Sequence, residues 1–241
     1  MRLLFGCALV LASGAALAVN QIKIMPLGDS ITYGYPVIGG YRAPLANMLT
    51  AEGYHFDFVG SLSDDPSFGL PYPHHEGHPG WQASDISGQI SGWLTASIPD
   101  VVFLHIGTND ISITGDPTLA ASRLSHLIGQ ITGQEPNVRL FVASIVPRAD
   151  SYEALTQQYN ALIPSIVLNY KTQGFKVEYV DIHSALTLAD LADAVHPNQS
   201  GYNKMATRWN AAFTAPEPGS FVAIGLGLAG IAIRKGKPVR A

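Results

Sequence analysis

The sequence predicts an α/β protein with a parallel central sheet, and three observations support this prediction. Five short runs rich in β-branched and aromatic residues alternate along the chain with five longer helical patterns. The third and fourth runs are almost continuously apolar, as in strands that helices cover on both faces. Strands separated by helices of this size need right-handed crossover connections, which make neighbouring strands parallel.

The predicted elements follow one another in a regular order. The strands occupy residues 22–27, 55–61, 101–107, 140–147 and 176–182. The helices occupy residues 41–52, 84–94, 118–132, 152–173 and 199–213. The segment 61–80, rich in Pro, Gly, Asp and His, is longer than a plain connection, so we expect a functional loop there.

Composition and charge limit the function. The chain has 241 residues, 47% of them hydrophobic and 13% charged, which suits one globular core. The formal net charge is -4, and no run of Lys and Arg is interleaved with aromatic residues. Such a chain lacks the positive field that holds phosphate backbones. We therefore expect one domain, at residues 19–214, and no nucleic-acid partner.

Residues 1–18 have the order of a secretory signal peptide. Arg2 precedes an apolar stretch, and Ala16-Leu17-Ala18 has the small-x-small pattern that a signal peptidase reads. Cys7 as a lipoprotein acceptor is the alternative, but little apolar chain precedes it. Since Cys7 is the only cysteine, the secreted chain is expected to have neither a disulfide nor a thiol nucleophile.

Residues 215–241 combine Pro-Glu-Pro, an apolar run at 221–233 and a basic end. A helix over that run spans roughly 20 Å, short of the ~30 Å hydrocarbon core of a bilayer. The alternative is a final core helix, which Gly225, Gly227 and Gly230 disfavour. The order of the tail resembles PEP-CTERM sorting signals. That resemblance implies a secreted or cell-surface protein of a Gram-negative bacterium, recognised by exosortase-type machinery and touching the membrane only transiently through the tail.

Three polar motifs follow predicted strands. They are "GDSITYG" with Ser30, "GTND" with Asn109, and "DAVHPNQSGY" with Asp193 and His196. In an open parallel sheet, ligands bind outside the carboxyl ends of the strands. Each motif alone has a plain explanation, as a helix cap or a turn, but their joint order predicts an active site.

The residue types in these motifs suit nucleophilic catalysis. A serine hydroxyl needs a base, and His196 is expected to serve Ser30 in that role. Asp193 is placed to fix the tautomer of His196 and to stabilise its cation. For the oxyanion we expect donors from the Ser30 N–H and the Asn109 side chain, with the Gly80 N–H as a third. Asp29 and Asp110 are interpreted as residues that hold the two loops by accepting backbone N–H groups.

The stretch "HHEGHPGW", residues 74–81, raises the question of a metal site. It narrowly misses the zinc signature H-E-x-x-H, because Pro79 stands where the second histidine is required. Glycine and proline also disfavour the helix on which that signature depends. We expect no metal and no other cofactor, and interpret the stretch as a loop at the rim of the site. Its histidines are interpreted as hydrogen-bonded loop residues, with sugar contact by His78 as the alternative.

Together these motifs resemble the SGNH, or GDSL-type, hydrolase superfamily over about residues 22–213. The resemblance implies a flavodoxin-like three-layer α/β/α sandwich with a five-stranded parallel sheet. Within the superfamily, "GGYR", "FVGS", "HEGHPGW", "LHIGTND" and "HPNQSGY" resemble carbohydrate esterase family three, whose members include acetylxylan esterases. That implies a metal-independent serine esterase acting on acetylated polysaccharide or another small ester.

Two other functions remain open. A lipase, lysophospholipase or thioesterase of the same superfamily would use the same machinery with an apolar acyl channel. A non-catalytic carbohydrate-binding or matrix protein would keep the fold without turnover. Candidate substrate contacts are Arg42, Trp81 and His78; Arg42 could equally pair with an acid, and Trp81 could equally pack the loop down.

Overall fold

A computed structural model describes residues 21–216. The predicted signal peptide and all but the first two residues of the predicted tail lie outside the described residues. The described part contains seven strands: β1 Ile22–Gly28, β2 Phe56–Phe58, β3 Leu62–Ser63, β4 His74–Gly77, β5 Val101–His105, β6 Arg139–Ala143 and β7 Val177–Val180. It contains eight α-helices: α1 Ser30–Tyr33, α2 Arg42–Ala51, α3 Ala83–Ser87, α4 Ile90–Ser97, α5 Thr108–Thr114, α6 Pro117–Gln134, α7 Glu153–Thr172 and α8 Gln199–Thr214.

The strands form one mostly parallel sheet with β1 at its centre. On one side of β1 lie β5, β6 and β7, all parallel. On the other side β2 pairs with the first half of β1, and β4 pairs with its second half. Only β3 is antiparallel among the described strands. The five predicted strands and their parallel order are confirmed.

The sheet has two strands more than the sequence predicted. Both lie in segment 61–80, which was interpreted as a loop, and β4 contains the "HHEG" of the histidine-rich stretch. His75 and Glu76 are buried there although both are polar. Hydrophobic periodicity cannot find such a strand, because hydrogen bonding rather than apolar burial accommodates its side chains.

Helices cover both faces of the sheet, which gives three layers. Successive strand residues point to opposite faces. Met25, Val102 and Leu140 pack against residues of α3, α4, α6 and α7. Ile24, Val101 and Phe141 pack against residues of α1, α2 and α8. The predicted α/β/α sandwich is therefore observed.

The predicted helix at 84–94 is divided into α3 and α4. Gly88 ends α3 and donates its N–H to carbonyl groups of that helix, including Asp85 O at 3.2 Å. Two short helices, α1 and α5, were not predicted, since each is shorter than the window in which helical periodicity can be read. Both begin directly after strands and carry residues of the predicted site. Within residues 21–216, none of the helices combines the length and apolar character needed to span a bilayer.

Candidate active site

Ser30 stands at the carboxyl edge of the sheet, where β1 turns into α1. A side chain at Gly28 would place its Cβ 2.1 Å from His105 O, so only glycine lets β1 and β5 approach this closely before the turn. Asp29 caps α1, with its Oδ1 accepting the Ile31 N–H at 2.9 Å. Ser30 is thus the first helical residue, and its N–H has no partner within the helix.

Three side chains form a continuous hydrogen-bonded series. Ser30 Oγ lies 2.9 Å from His196 Nε2, although the residues are 166 positions apart. His196 Nδ1 lies 2.8 Å from Asp193 Oδ2. Because a carboxylate only accepts, Nδ1 carries the proton and Nε2 presents its lone pair to the serine hydroxyl. This is the arrangement in which histidine takes a proton from serine.

Asp193 is held as an anion by its own loop. Its Oδ1 accepts the backbone N–H of Val195 at 2.9 Å and that of His196 at 2.8 Å. Partial burial raises the pKa of Asp193, but these two bonds and the His196 ring together outweigh it and hold that pKa below its ordinary value. The side chain is 44% exposed, so the carboxylate is also stabilised by water.

The loop that carries Asp193 and His196 is tied on two sides. Asp190 accepts hydrogen bonds from Ser200 and Lys204 of α8, and the lysine above all holds the pKa of Asp190 well below its usual range. On the other side, the Ala149 N–H donates to Ala194 O at 2.9 Å. The distance between His196 and Ser30 is therefore set by two other parts of the fold.

Asn109 approaches the site from the end of β5. Gly107, with φ 127°, makes the turn into α5, and a Cβ there would lie 2.6 Å from the Tyr159 hydroxyl. Asn109 Nδ2 donates to Trp81 O at 2.9 Å. A side-chain amide has two N–H groups, so one hydrogen remains for a substrate oxygen.

Gly80 lies in the loop that follows β4. The His78 N–H donates to Gly28 O at 2.9 Å, which holds this loop against the end of β1. On its other side the loop reaches Asn109 through Trp81. Gly80 has φ +83°, and a Cβ there would meet nothing within 4 Å, so its backbone is open to an approaching molecule. The three predicted oxyanion donors thus come from adjoining segments.

Asp29 and Asp110 lie beneath the site and hold its loops, as predicted. Asp110 Oδ2 accepts the Ala83 N–H at 2.9 Å, and Oδ1 lies 3.1 Å from Arg123 Nη1. Asp110 therefore connects the start of α5 to the segment after Gly80. Burial raises the pKa of Asp29 to about 7, and the nearby Asp110 charge adds to the increase. Burial likewise raises the pKa of Asp110.

Arg42 is not a substrate contact, which corrects one of the two roles considered for it. It is 1% exposed and binds Asp64 through both terminal nitrogens, at 2.6 and 3.1 Å. Its Nε donates to Thr32 O and its Nη2 to Tyr33 O. The guanidinium thus holds the segment after Ser30 to the segment before β4.

His78 and Trp81 pack the loop down. The His78 ring packs nearly parallel to two indoles, 4.2 Å from the Trp81 ring and 4.7 Å from the Trp93 ring, and the two indoles lie 6.0 Å from each other. Its Nε2 lies 2.9 Å from Glu76 Oε2. The side chain is 11% exposed, which agrees with the interpretation of His78 as a hydrogen-bonded loop residue. A sugar contact by His78 stays a prediction. The packing of Trp81 on His78 fits the second of its two predicted roles.

The other histidines of the stretch have separate surroundings. His75 Nδ1 accepts the Gly77 N–H at 3.0 Å, and burial, followed by the Arg42 charge, lowers the pKa of His75 to about 3. His74 is exposed. Across residues 21–216, no group of three or more His, Cys, Asp or Glu side chains is arranged to hold a metal ion.

Two residues near the site were missed in the sequence. Arg148, directly after the fourth predicted strand, donates to Thr108 O at 3.0 Å and to Ser112 Oγ at 2.9 Å, which holds α5. Its position directly after a strand could have indicated a residue near the site. Tyr35 places the edge of its ring against His196, with 4.8 Å between ring centroids. No sequence pattern indicated this contact, because it depends on the turn after α1.

Comparisons with known proteins agree with this geometry. Residues 27–204 match the GDSL-like Lipase/Acylhydrolase family, and residues 214–237 match the PEP-CTERM protein-sorting motif. A "Multidomain esterase" of Ruminococcus flavefaciens is 34% identical over 220 residues, covering 80% of this chain and 28% of the relative. A "Putative endoglucanase X" of Acetivibrio thermocellus is 39% identical over 127 residues, covering 52% of this chain and 54% of the relative. The chain thus spans about half or less of the length of these curated relatives.

Solved structures share the fold over most of this chain. The Clostridium thermocellum family 3 carbohydrate esterase is 39% identical, with a TM-score of 0.73 over 88% of this chain and 100% of that one. A family 3 carbohydrate esterase from Talaromyces cellulolyticus is 31% identical, with a TM-score of 0.71 over 80% of this chain and 96% of that one. With the family match extending from the end of β1 into α8, across the motifs that carry Ser30, Asn109 and His196, this chain belongs to the GDSL-like lipase/acylhydrolase family.

Proposed function

We propose that this protein is a secreted serine esterase that removes acetyl groups from O-acetylated polysaccharide. The observation that carries the proposal is the series Ser30, His196 and Asp193, joined by distances of 2.9 and 2.8 Å. Its members come from two distant parts of the chain, and Asn109 approaches from a third. Such an arrangement suits acyl transfer rather than binding alone.

In the first step, His196 Nε2 takes the proton of Ser30 as the serine oxygen bonds to the acetyl carbonyl carbon. Asp193 stabilises the imidazolium that forms. Negative charge develops on the carbonyl oxygen, and the Ser30 N–H, the Gly80 N–H and Asn109 Nδ2 supply donors for it. Fixed donors of this kind often make the largest single contribution to catalysis.

In the second step, His196 returns the proton to the sugar oxygen as the bond between that oxygen and the carbonyl carbon breaks. The sugar leaves as an alcohol, and the acetyl group stays on Ser30. His196 then removes a proton from water, whose oxygen attacks the acetyl carbonyl. The bond between the Ser30 oxygen and the carbonyl carbon then breaks, His196 returns its proton to that oxygen, and acetic acid leaves and ionises to acetate. The cycle thus needs neither a metal nor another cofactor.

The proposed substrate class rests on the relatives. Two similar solved structures are named family 3 carbohydrate esterases, and another that is 30% identical is described as an acetyl esterase mutant with an acetate ion. We therefore propose acetyl as the acyl group and an acetylated polysaccharide as the partner. The alternative within the family is a lipase, lysophospholipase or thioesterase with a longer acyl group.

The two ends of the chain support export. The PEP-CTERM match at residues 214–237 suggests export and surface sorting. We propose that residues 1–18 are a signal peptide and that exosortase-type machinery recognises residues 215–241. The protein would then be secreted or displayed by a Gram-negative bacterium, with transient membrane contact through its tail.

Acetate release tests the activity. Residues 19–241 are incubated with acetylated xylan, and with the same xylan after chemical deacetylation, in the presence of EDTA. We expect acetate from the acetylated polymer only, and its loss in Ser30→Ala. Ser165→Ala, an exposed serine on α7, is the matched control and should behave as wild type. Activity only on octanoyl esters would favour a lipase, lysophospholipase or thioesterase instead. Activity retained in Ser30→Ala would refute the assignment of Ser30 as the nucleophile.

A further inference from the structure

A shallow groove with apolar walls lies beside the catalytic histidine. It has a volume of about 140 Å³, and its lining includes Tyr33, Tyr35, Pro36, Ile38, Asp64 and Phe68. Four of these side chains are large and half exposed: Tyr33 at 43%, Tyr35 at 52%, Ile38 at 54% and Phe68 at 47%. Clustered apolar residues of this kind on a soluble protein mark a binding surface.

The walls of the groove are held in position. The Tyr202 hydroxyl donates to Tyr35 O at 2.6 Å, which ties the wall to α8. The ring of Tyr33, the last residue of α1, lies edge-on to His75, with 5.7 Å between centroids. The groove is therefore largely formed before a ligand arrives, as ligand sites usually are.

The groove adjoins the active site through Tyr35. Tyr35 belongs to its lining and also contacts the His196 ring at 4.8 Å between centroids. Tyr33 lies three residues after Ser30 on the same short helix. A substrate bonded at Ser30 would reach the groove by extending past Tyr35.

The direction of proton transfer decides which part of the substrate lies there. His196 gives its proton to the leaving oxygen, so the leaving alcohol must be on the His196 side of Ser30. The oxyanion donors Gly80 and Asn109 belong to other segments, which meet at Trp81. The groove adjoins His196 through Tyr35, so it is on the side of the alcohol rather than of the oxyanion.

We propose that this groove binds the sugar rings of the substrate next to the ester, and so selects the carbohydrate. The inference rests on the proposed function and deepens it. A sugar ring has an apolar face of C–H groups for an aromatic wall, while its hydroxyl groups stay in water. Half-exposed walls suit such a ligand. They suit a long acyl chain poorly, because an acyl chain gains binding energy only where its surface leaves water.

Kinetics with two alcohols test the proposal. The ratio of kcat/KM for an acetylated xylo-oligosaccharide to kcat/KM for ethyl acetate is measured in wild type, Phe68→Ala and Ile38→Ala. We expect the ratio to fall about tenfold in each variant, since ethanol is too small to fill the groove. Leu168→Ala, which removes an equally exposed apolar side chain on α7, is the matched control and should keep the wild-type ratio.

The outcomes separate this inference from the proposed function. If the wild type is active on the oligosaccharide and both variants keep its ratio, the groove does not bind the sugar. The proposed esterase activity would be unaffected by that result. A wild type that hydrolyses ethyl acetate but not the oligosaccharide would overturn both. A selective loss on ethyl octanoate relative to ethyl acetate in Phe68→Ala would show that the groove takes the acyl chain instead. Thermal unfolding of each variant confirms that it is folded.

Discussion

The side-chain amide of Asn109 donates a hydrogen bond to the carbonyl oxygen of Trp81 at 2.9 Å. This bond joins the loop after β5 to the loop after β4. One amide group thereby sets the position of the loop that carries Gly80 and still has a second N–H for a substrate oxygen. Its loss should affect two of the three proposed oxyanion donors.

Asn109→Ala is therefore expected to lower kcat by about 10²–10³-fold, the range for loss of one oxyanion donor. KM should change much less, since the missing interaction develops mainly in the transition state. Steady-state kinetics on p-nitrophenyl acetate measures both. Asn137→Ala, at an exposed asparagine, is the matched control. An equal increase in KM with unchanged kcat would show that Asn109 serves ground-state binding instead.

Asp193→Asn tests the support of the catalytic histidine. Asparagine lacks the charge that stabilises the imidazolium, and its amide can leave the ring in the wrong tautomer, so we expect kcat/KM to fall on the order of 10²-fold. The pKa of Asp193 lies below its ordinary value, so this carboxyl is ionised from mildly acidic pH upward. Steady-state kinetics on p-nitrophenyl acetate measures the fall.

Asp181→Asn, which removes a carboxylate outside the series, is the comparison. A wild-type rate in Asp193→Asn would show that only Ser30 and His196 of this series are needed for catalysis.

Asp29 should make the stability of the protein depend on pH. Its folded pKa is raised to about 7, above the value of an unfolded aspartate. For a raised pKa, the stabilising contribution is complete below the unfolded pKa and is lost as pH rises through the folded pKa. The free energy of unfolding of the wild type should therefore fall between about pH 4 and 7. The fall is up to about 1.4 kcal/mol for each unit by which the folded pKa of Asp29 exceeds its unfolded pKa.

Asp29→Asn removes this titration. In urea unfolding at pH 4, 6 and 8, the free energy of unfolding of the variant should rise relative to that of the wild type as the pH increases. Asp57→Asn, at a half-buried aspartate on β2, is the matched comparison. A difference between Asp29→Asn and wild type that stays constant across this range would contradict the raised pKa.

Arg42→Met tests the structural role of the arginine. The substitution leaves the Asp64 carboxylate buried without its partner, which typically costs about 3–5 kcal/mol of unfolding free energy. Urea unfolding measures that loss. The double variant Arg42→Met/Asp64→Leu removes both charges and should regain part of the stability. If the single variant unfolds like wild type but binds substrate poorly, the assignment of Arg42 to the fold is wrong.

Much of the candidate site could be predicted from the sequence. Ser30, Asn109 and His196 follow buried strands, and parallel strands bring their carboxyl ends to one edge, so their meeting was predictable. The roles of Asp29 and Asp110 as loop anchors followed from the same placement. Strand β4 was missed because His75 and Glu76 are buried by hydrogen bonds, which hydrophobic periodicity does not register.

Patterns in the sequence were enough to predict the α/β class, the five parallel strands and the candidate residues for acyl transfer. These depend on apolar periodicity and residue chemistry, which are local properties of the chain. Only the tertiary structure decided what Arg42, His78 and Tyr35 do. Arg42 is turned inward to Asp64, His78 packs against the indoles of Trp81 and Trp93, and Tyr35 contacts the His196 ring. Each of these roles depends on contacts made only after the chain has folded or on the path of a turn. The hydrophobic periodicity of a single segment contains no information about either.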